Sequence, residues 1–266
     1  MTEISAESAT RFLEVGVGAD ARPIAYRSLA GEGPTLVWLG GYRSDMRGTK
    51  AERLVAFAAA RGLAACRFDY SGHGESGGRF EDGTISHWVE DAEAVLAEAV
   101  DGPVILVGSS MGAWIALRLI QRRRAAGASA VRGLLLLAPA PDFTSRLMEP
   151  QLTAAQRRAL AAEGFIAEPS GYSDEPNVYT RALFEDGRAN AVMQGTIETG
   201  CPVHIIQGMA DPDVPYSHAL ELVSHLPSDG VILTLVRDGD HRLSREADLL
   251  RMEQALDGLV SAARNG

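Results

Sequence analysis

The chain has 266 residues, 46% hydrophobic and 23% charged, the ordinary balance of a globular protein large enough for one α/β domain with a small insertion. Its formal net charge of −10 repels phosphate backbones and anionic membrane surfaces, which argues against a nucleic-acid partner. The start, Met1-Thr2-Glu3-Ile4-Ser5-Ala6-Glu7, lacks a basic then apolar stretch and is too acidic for a mitochondrial transit peptide; with no apolar run of spanning length, the expected compartment is the cytoplasm.

Residues 11–18 and 22–29 alternate apolar and polar side chains on either side of Ala19-Asp20-Ala21, so they predict a hairpin. Residues 35–39 predict the first buried strand, ending at Gly40-Gly41-Tyr42, and 49–61 an alanine-rich helix. Residues 64–70 predict the next strand. The following Ser71-Gly72-His73-Gly74-Glu75-Ser76-Gly77-Gly78 contains a G-x-G-x-x-G spacing, but no apolar-periodic helix opens there, so it reads as a glycine-rich turn and not as a dinucleotide site. Residues 84–100 predict an amphipathic helix capped at Gly83 or Thr84. A strand over 103–107, a helix over 111–126 and a strand over 131–138 follow. Strands alternating with helices predict a mostly parallel central sheet with helices on both faces.

Residues 139–200 break that alternation. They carry a helix over 153–163 and a polar, mixed stretch over 172–190, and predict a small helical cap inserted after the sixth strand. The sheet resumes at 202–207, followed by a helix over 216–226, a last strand over 231–236 and a helix over 244–264 with Ser244 as its N-cap. The expected organisation is therefore a core in two parts, 1–138 and 201–266, with the cap between them. Cys66 and Cys201 lie in or beside apolar runs without metal-ligand spacing; they read as small buried residues, with no zinc or other metal site expected.

The strongest local signal is Gly108-Ser109-Ser110-Met111-Gly112. It has the G-x-S-x-G pattern of a nucleophile elbow, with a β-branched apolar run before it and helical spacing after it. A turn that tight requires glycines on both sides of the nucleophile, and the glycine spacing selects Ser110 over Ser109. A serine hydroxyl needs a base, and the base needs a partner that fixes its tautomer. Of six histidines, His204 reads as core, His218 and His225 as helix surface, His87 as a helix start, and His73 precedes the serine. His241 alone follows the last strand, where its loop overhangs the elbow, so it is the candidate base. Asp211 and Asp213 both follow the preceding strand and are both candidates for the acid. A tetrahedral oxyanion needs two N–H donors; the amide of Met111, after the nucleophile, and that of Tyr42, in the loop after the first central strand, are assigned.

Several longer stretches carry a family resemblance. They are the run from Gly41-Tyr42-Arg43-Ser44 through Gly48-Thr49-Lys50-Ala51, Cys66-Arg67-Phe68-Asp69-Tyr70-Ser71-Gly72, Val107 through Trp114, and Asp240-His241-Arg242. Together they resemble the α/β-hydrolase superfamily. Within it they are similar to the palmitoyl-protein thioesterase and acyl-glucuronide esterase group of the hydrolase-domain family and its bacterial relatives. The likeness runs from about Pro34 onward and is weakest in the cap. The turn Gly208-Met209-Ala210-Asp211 resembles that superfamily's acid turn, which favours Asp211. The resemblance implies the α/β-hydrolase fold, hydrolysis of a small-molecule acyl ester or thioester, no cofactor, and Ser110, Asp211 and His241 at the triad positions. The rival is a non-catalytic small-ligand binder on the same fold, and such proteins typically lose a triad member. Leu147, Met148, Leu152, Phe165, Ile166 and Met193 serve equally well as an acyl pocket or as the cap's own core. Arg43 and Arg47 read as contacts for a substrate carboxylate or as solvated surface. Nothing in the sequence sets the oligomeric state.

Overall fold

The structure is a computed structural model that describes residues 7–127, 130–169 and 176–265. Residues 1–6, read above for targeting, and 170–175, within the inserted segment, lie outside the described residues. Its spine is an eight-stranded sheet. The strands are β1 (Arg11–Val15), β2 (Arg22–Leu29), β3 (Glu32–Leu39), β4 (Leu63–Phe68), β5 (Val104–Ser109), β6 (Val131–Leu137), β9 (Val203–Gly208) and β10 (Val231–Val236), in the spatial order β1-β2-β4-β3-β5-β6-β9-β10. β1 and β2 form the expected antiparallel hairpin, and β2 pairs antiparallel with β4; every other pairing is parallel.

The apolar runs are continuous because both faces of the sheet are covered. Val37, Leu39, Leu106, Leu134, Leu136 and Ile205 face one layer, where they meet Trp88 of α2 (Ile85–Ala99), Ile115 and Leu119 of α3 (Met111–Ala125) and Leu222 of α6 (Tyr216–His225). The residues between them, Leu36, Trp38, Ile105, Val107, Leu135 and Leu137, face the other. There they meet Leu54 and Phe57 of α1 (Thr49–Ala60) and Leu249, Met252 and Leu256 of α7 (Glu246–Asn265). That two-residue alternation is the strand pleat expressed in packing. Among the described residues, no helix is long and apolar enough to cross a membrane.

Helix boundaries follow local chemistry. Thr84 caps α2 by accepting the His87 amide. α7 starts at Glu246, not at the expected Ser244; the Ser244 hydroxyl donates to the Arg242 carbonyl at 2.9 Å and so turns back into the preceding loop. His218, expected on the surface, is buried, with its ring nitrogen 2.9 Å from the Pro141 carbonyl beneath the inserted segment. Both cysteines are free thiols; Cys66 is buried as expected and Cys201 only half-buried, and desolvation pushes each up to about 12.

Between β6 and β9 the chain makes a helical turn over 144–148, then α4 (Ala154–Ala162), β7 (Phe165–Glu168), β8 (Asn177–Thr180) and α5 (Arg181–Ala189). Thr153 and Gln156 close a capping box on α4. β7 and β8 pair antiparallel as a separate two-stranded sheet, an element absent from the helical expectation. Each has only four residues, and Ile166 is the only large apolar side chain of the pair to be fully covered, so the alternation that marks a strand is missing.

Candidate active site

The parallel register brings the carboxyl ends of β3, β5, β6, β9 and β10 to one rim: Leu39 pairs with Gly108, Ser109 with Leu137, and Val236 with Gly208. The turns and the helix start at that rim carry Tyr42, Ser110, Met111, Asp211 and His241, as expected for a parallel sheet. β5 ends at Ser109 and α3 begins at Met111, so Ser110 is the whole turn between them. Its backbone is left-handed (φ 55°, ψ −116°), a conformation that costs a non-glycine residue energy and persists because its surroundings over-determine it. Flanking space explains the glycines. A Cβ on Gly108 would come within 2.5 Å of the Gly112 carbonyl oxygen, and one on Gly112 within 2.0 Å of the Leu39 oxygen.

The Ser110 Oγ lies 3.0 Å from Nε2 of His241, and Nδ1 of the same ring lies 2.8 Å from Oδ2 of Asp211. The Asp211 side chain is fully enclosed and its other oxygen accepts the amides of Asp213 and Val214, each at 2.8 Å. Burial on its own would raise this carboxyl; the His241 ring and the two amides outweigh it, and the group is held below the usual aspartate range. An anionic Asp211 can only accept, so Nδ1 of His241 carries a hydrogen; whenever the ring is neutral, Nε2 then presents its lone pair to the serine hydroxyl. A hydroxyl facing an imidazole nitrogen, on a ring aligned by a buried carboxylate, is chemically suited to nucleophilic attack.

Asp213, the rival acid, contributes its backbone amide to Asp211 and keeps an exposed side chain. Asp240 turns away from its neighbour's ring and accepts the Leu243 amide at 3.0 Å. The ligand atoms of Asp211, Asp213 and His241 come within 4.8 Å of one another, close enough for a cation. Both ring nitrogens of His241 are already engaged, by Asp211 and Ser110, which leaves an ion no imidazole lone pair in this arrangement.

Met111 is the first residue of α3, where backbone amides lack intrahelical acceptors. The loop bearing Tyr42 passes directly over the serine: a Cβ on Gly41 would lie 3.4 Å from the Ser110 Cβ. Ser44 ties this loop down, its amide and hydroxyl both donating to the Gly41 carbonyl. The next strand holds it from below: Met46 donates its amide to Asp69 at 2.6 Å and accepts Arg67 at 2.8 Å. Arg47 pairs with Glu75 at 2.6 Å, and the Arg43 guanidinium lies 4.6 Å from the centre of the Phe80 ring. Of the six apolar candidates in the inserted segment, Ile166 and Met193 are buried and Phe165 is exposed.

Two supporting residues escaped the reading from sequence. Gln207 is fully buried and its amide donates to Oδ2 of Asp211 at 3.1 Å, beside the imidazole. A lone amide side chain inside the apolar run of β9 was the available signal. His73 accepts the Arg43 amide at 3.2 Å and so braces the loop over the serine; its chain position before Ser110 removed it from the search for a base but left this role open.

An eight-stranded, mostly parallel sheet with a strained serine elbow at its carboxyl rim defines a class, and the chain belongs to the α/β-hydrolase family, whose description matches residues 36–260. Nearer relatives exist. The chain is 32% identical over 243 residues to the mitochondrial palmitoyl-protein thioesterase ABHD10 of Homo sapiens, covering 91% of this chain and 78% of that protein. Among solved structures it is similar to a putative hydrolase from Agrobacterium vitis S4 (60% identity, TM-score 0.93, 95% of this chain and 98% of that one). It also resembles mouse alpha/beta hydrolase domain-containing protein 10 (28% identity, TM-score 0.84, 96% and 99%).

Proposed function

We propose that the protein is a serine hydrolase that cleaves carboxylic ester or acyl thioester bonds through an acyl-enzyme on Ser110. The observation that carries this reading is the unbroken contact from Ser110 through His241 to the buried Asp211. His241 Nε2 takes the hydroxyl proton as Oγ attacks the acyl carbonyl, and Asp211 stabilises the imidazolium that forms. The amides of Tyr42 and Met111 are the donors for the oxyanion. His241 then returns the proton to the departing alcohol or thiol. A water molecule, deprotonated by the same nitrogen, attacks the acyl-serine, releases the acid and restores the hydroxyl.

The thioester half of the reading draws on the relatives named as palmitoyl-protein thioesterases. Residues 139–200 serve in this reading as a cap over the rim, and substrate choice lies there and not in the triad. Ser110→Ala removes the nucleophile and leaves the turn intact. It is expected to lower turnover of a short p-nitrophenyl ester by about 10⁴-fold or more and to abolish labelling by a fluorophosphonate probe. Undiminished turnover in that variant would falsify the assignment, and a folded wild-type protein that resists the probe would favour a non-catalytic binder.

A further inference from the structure

Of the 25 lysine and arginine residues in the chain, one is lysine, and it is Lys50. It is the second residue of α1, half-buried, and its ammonium donates to the backbone carbonyl of Arg242, the residue immediately after His241. The two stretches most specific to the family resemblance, Gly48-Thr49-Lys50 and Asp240-His241-Arg242, are 192 residues apart in sequence and meet at this one bond.

The loop they share needs a restraint. Leu243 is buried with φ 46°, a left-handed conformation costly for a branched, non-glycine side chain. The Arg242 carbonyl takes two donors in this turn, the Lys50 ammonium and the Ser244 hydroxyl. The docking of α1 on α7, by contrast, is supplied elsewhere: Arg53 pairs with Glu246 and Glu253, and Arg61 with Asp257. The lysine bond ends on the backbone beside the imidazole and not on the helix. An ammonium is a compact point donor, whereas a guanidinium is a broad planar fork. That difference gives a reason for one lysine in a chain that otherwise uses arginine. Burial lowers the Lys50 ammonium to about 8, against the pull of Asp240, Asp211 and Asp248 and with the push of Arg242.

We infer that Lys50 is a positioning residue: its bond from α1 to the Arg242 carbonyl fixes the backbone of His241 so that Nε2 stays on the Ser110 hydroxyl. The inference rests on the serine-hydrolase reading above. Misplacing a reacting group by about 1 Å costs on the order of 10²-fold in rate. Lys50→Met keeps the apolar stem and removes the donor. It is expected to lower kcat by roughly 10- to 100-fold with KM within about twofold of wild type. Methylammonium supplied to Lys50→Ala is expected to recover part of the lost kcat, while tetramethylammonium, which has no N–H, recovers none. Wild-type kcat in Lys50→Met overturns the inference. If Lys50→Met melts far below wild type, Lys50→Ala decides: recovery with methylammonium supports the inference and no recovery overturns it. Ser110→Ala in the same assay separates the two readings. Persisting turnover there defeats the hydrolase reading, whereas its loss beside a fully active Lys50→Met defeats only the role of Lys50.

Discussion

His73 shows how a residue away from Ser110, His241 and Asp211 braces the loop above them. Its Nδ1 hydrogen donates to the Ser71 carbonyl at 3.0 Å and its Nε2 accepts the Arg43 amide, so the ring works only when neutral. Burial lowers it to about 4. Between pH 6.5 and 4 the unfolded chain takes up a proton here and the folded chain does not, so stability falls as the pH drops through that window and levels off below it. The loss is about 3 kcal/mol from this group. Urea unfolding at pH 7 and pH 4 measures it: His73→Gln is expected to lose about 3 kcal/mol less than wild type over that interval. An identical pH dependence in the variant would count against the account. At this scale chain order was informative for His241, because the last strand of the sheet delivers its loop to the serine rim. It was uninformative for His73 and His218, whose roles depend on which backbone carbonyl or amide the fold brings beside the ring.

The elbow is the element on which the rim depends. α3 starts so close to the end of β3 that Gly112 abuts the Leu39 carbonyl, and both partners belong to the buried core. A methyl group has no flexible neighbour to displace. Gly112→Ala is therefore expected to cost about 3 kcal/mol or more and to lower the thermal midpoint by many degrees; a wild-type melting curve would show that the turn can open. The central strands β3, β5 and β6 were legible because each is rich in β-branched and leucine residues covered on both faces. The start of β3 and the short strands were not. β3 starts three residues earlier than its apolar run, since the backbone of Glu32 pairs with Leu63 whatever its side chain does. β7 and β8 form a sheet of their own with four residues each, and sequence periodicity needs a longer run to register.

On the scale of the whole molecule, the inserted segment and the rim are joined through Tyr42. Its ring stacks on Tyr179 at 5.1 Å and its hydroxyl donates to the Val178 carbonyl of β8, while its backbone belongs to the loop over Ser110. Burial keeps the phenol protonated, and so a donor, far above its ordinary range. Tyr42→Phe keeps the stacking and removes the one bond, worth about 1 kcal/mol. Steady-state kinetics are expected to show KM raised about fivefold with kcat for a short ester changed much less. A fall in kcat at constant KM would assign the hydroxyl to the chemistry instead. The mostly parallel sheet and its loop-bearing rim followed from strand and helix alternation, whereas the strand order did not; nor did this bridge, because it joins positions 136 residues apart and depends on how the segment is seated.

That seating has an optical consequence. The indole N–H of Trp114, on the helix that follows the serine, donates to the Asn190 carbonyl just after α5, and its ring meets Phe143 edge-on. The fluorophore thus belongs to the core while its polar contact belongs to the segment above. Exchange of that carbonyl for water would move the Trp114 emission toward the red, so the fluorescence of this one indole reports whether its contact with Asn190 is made.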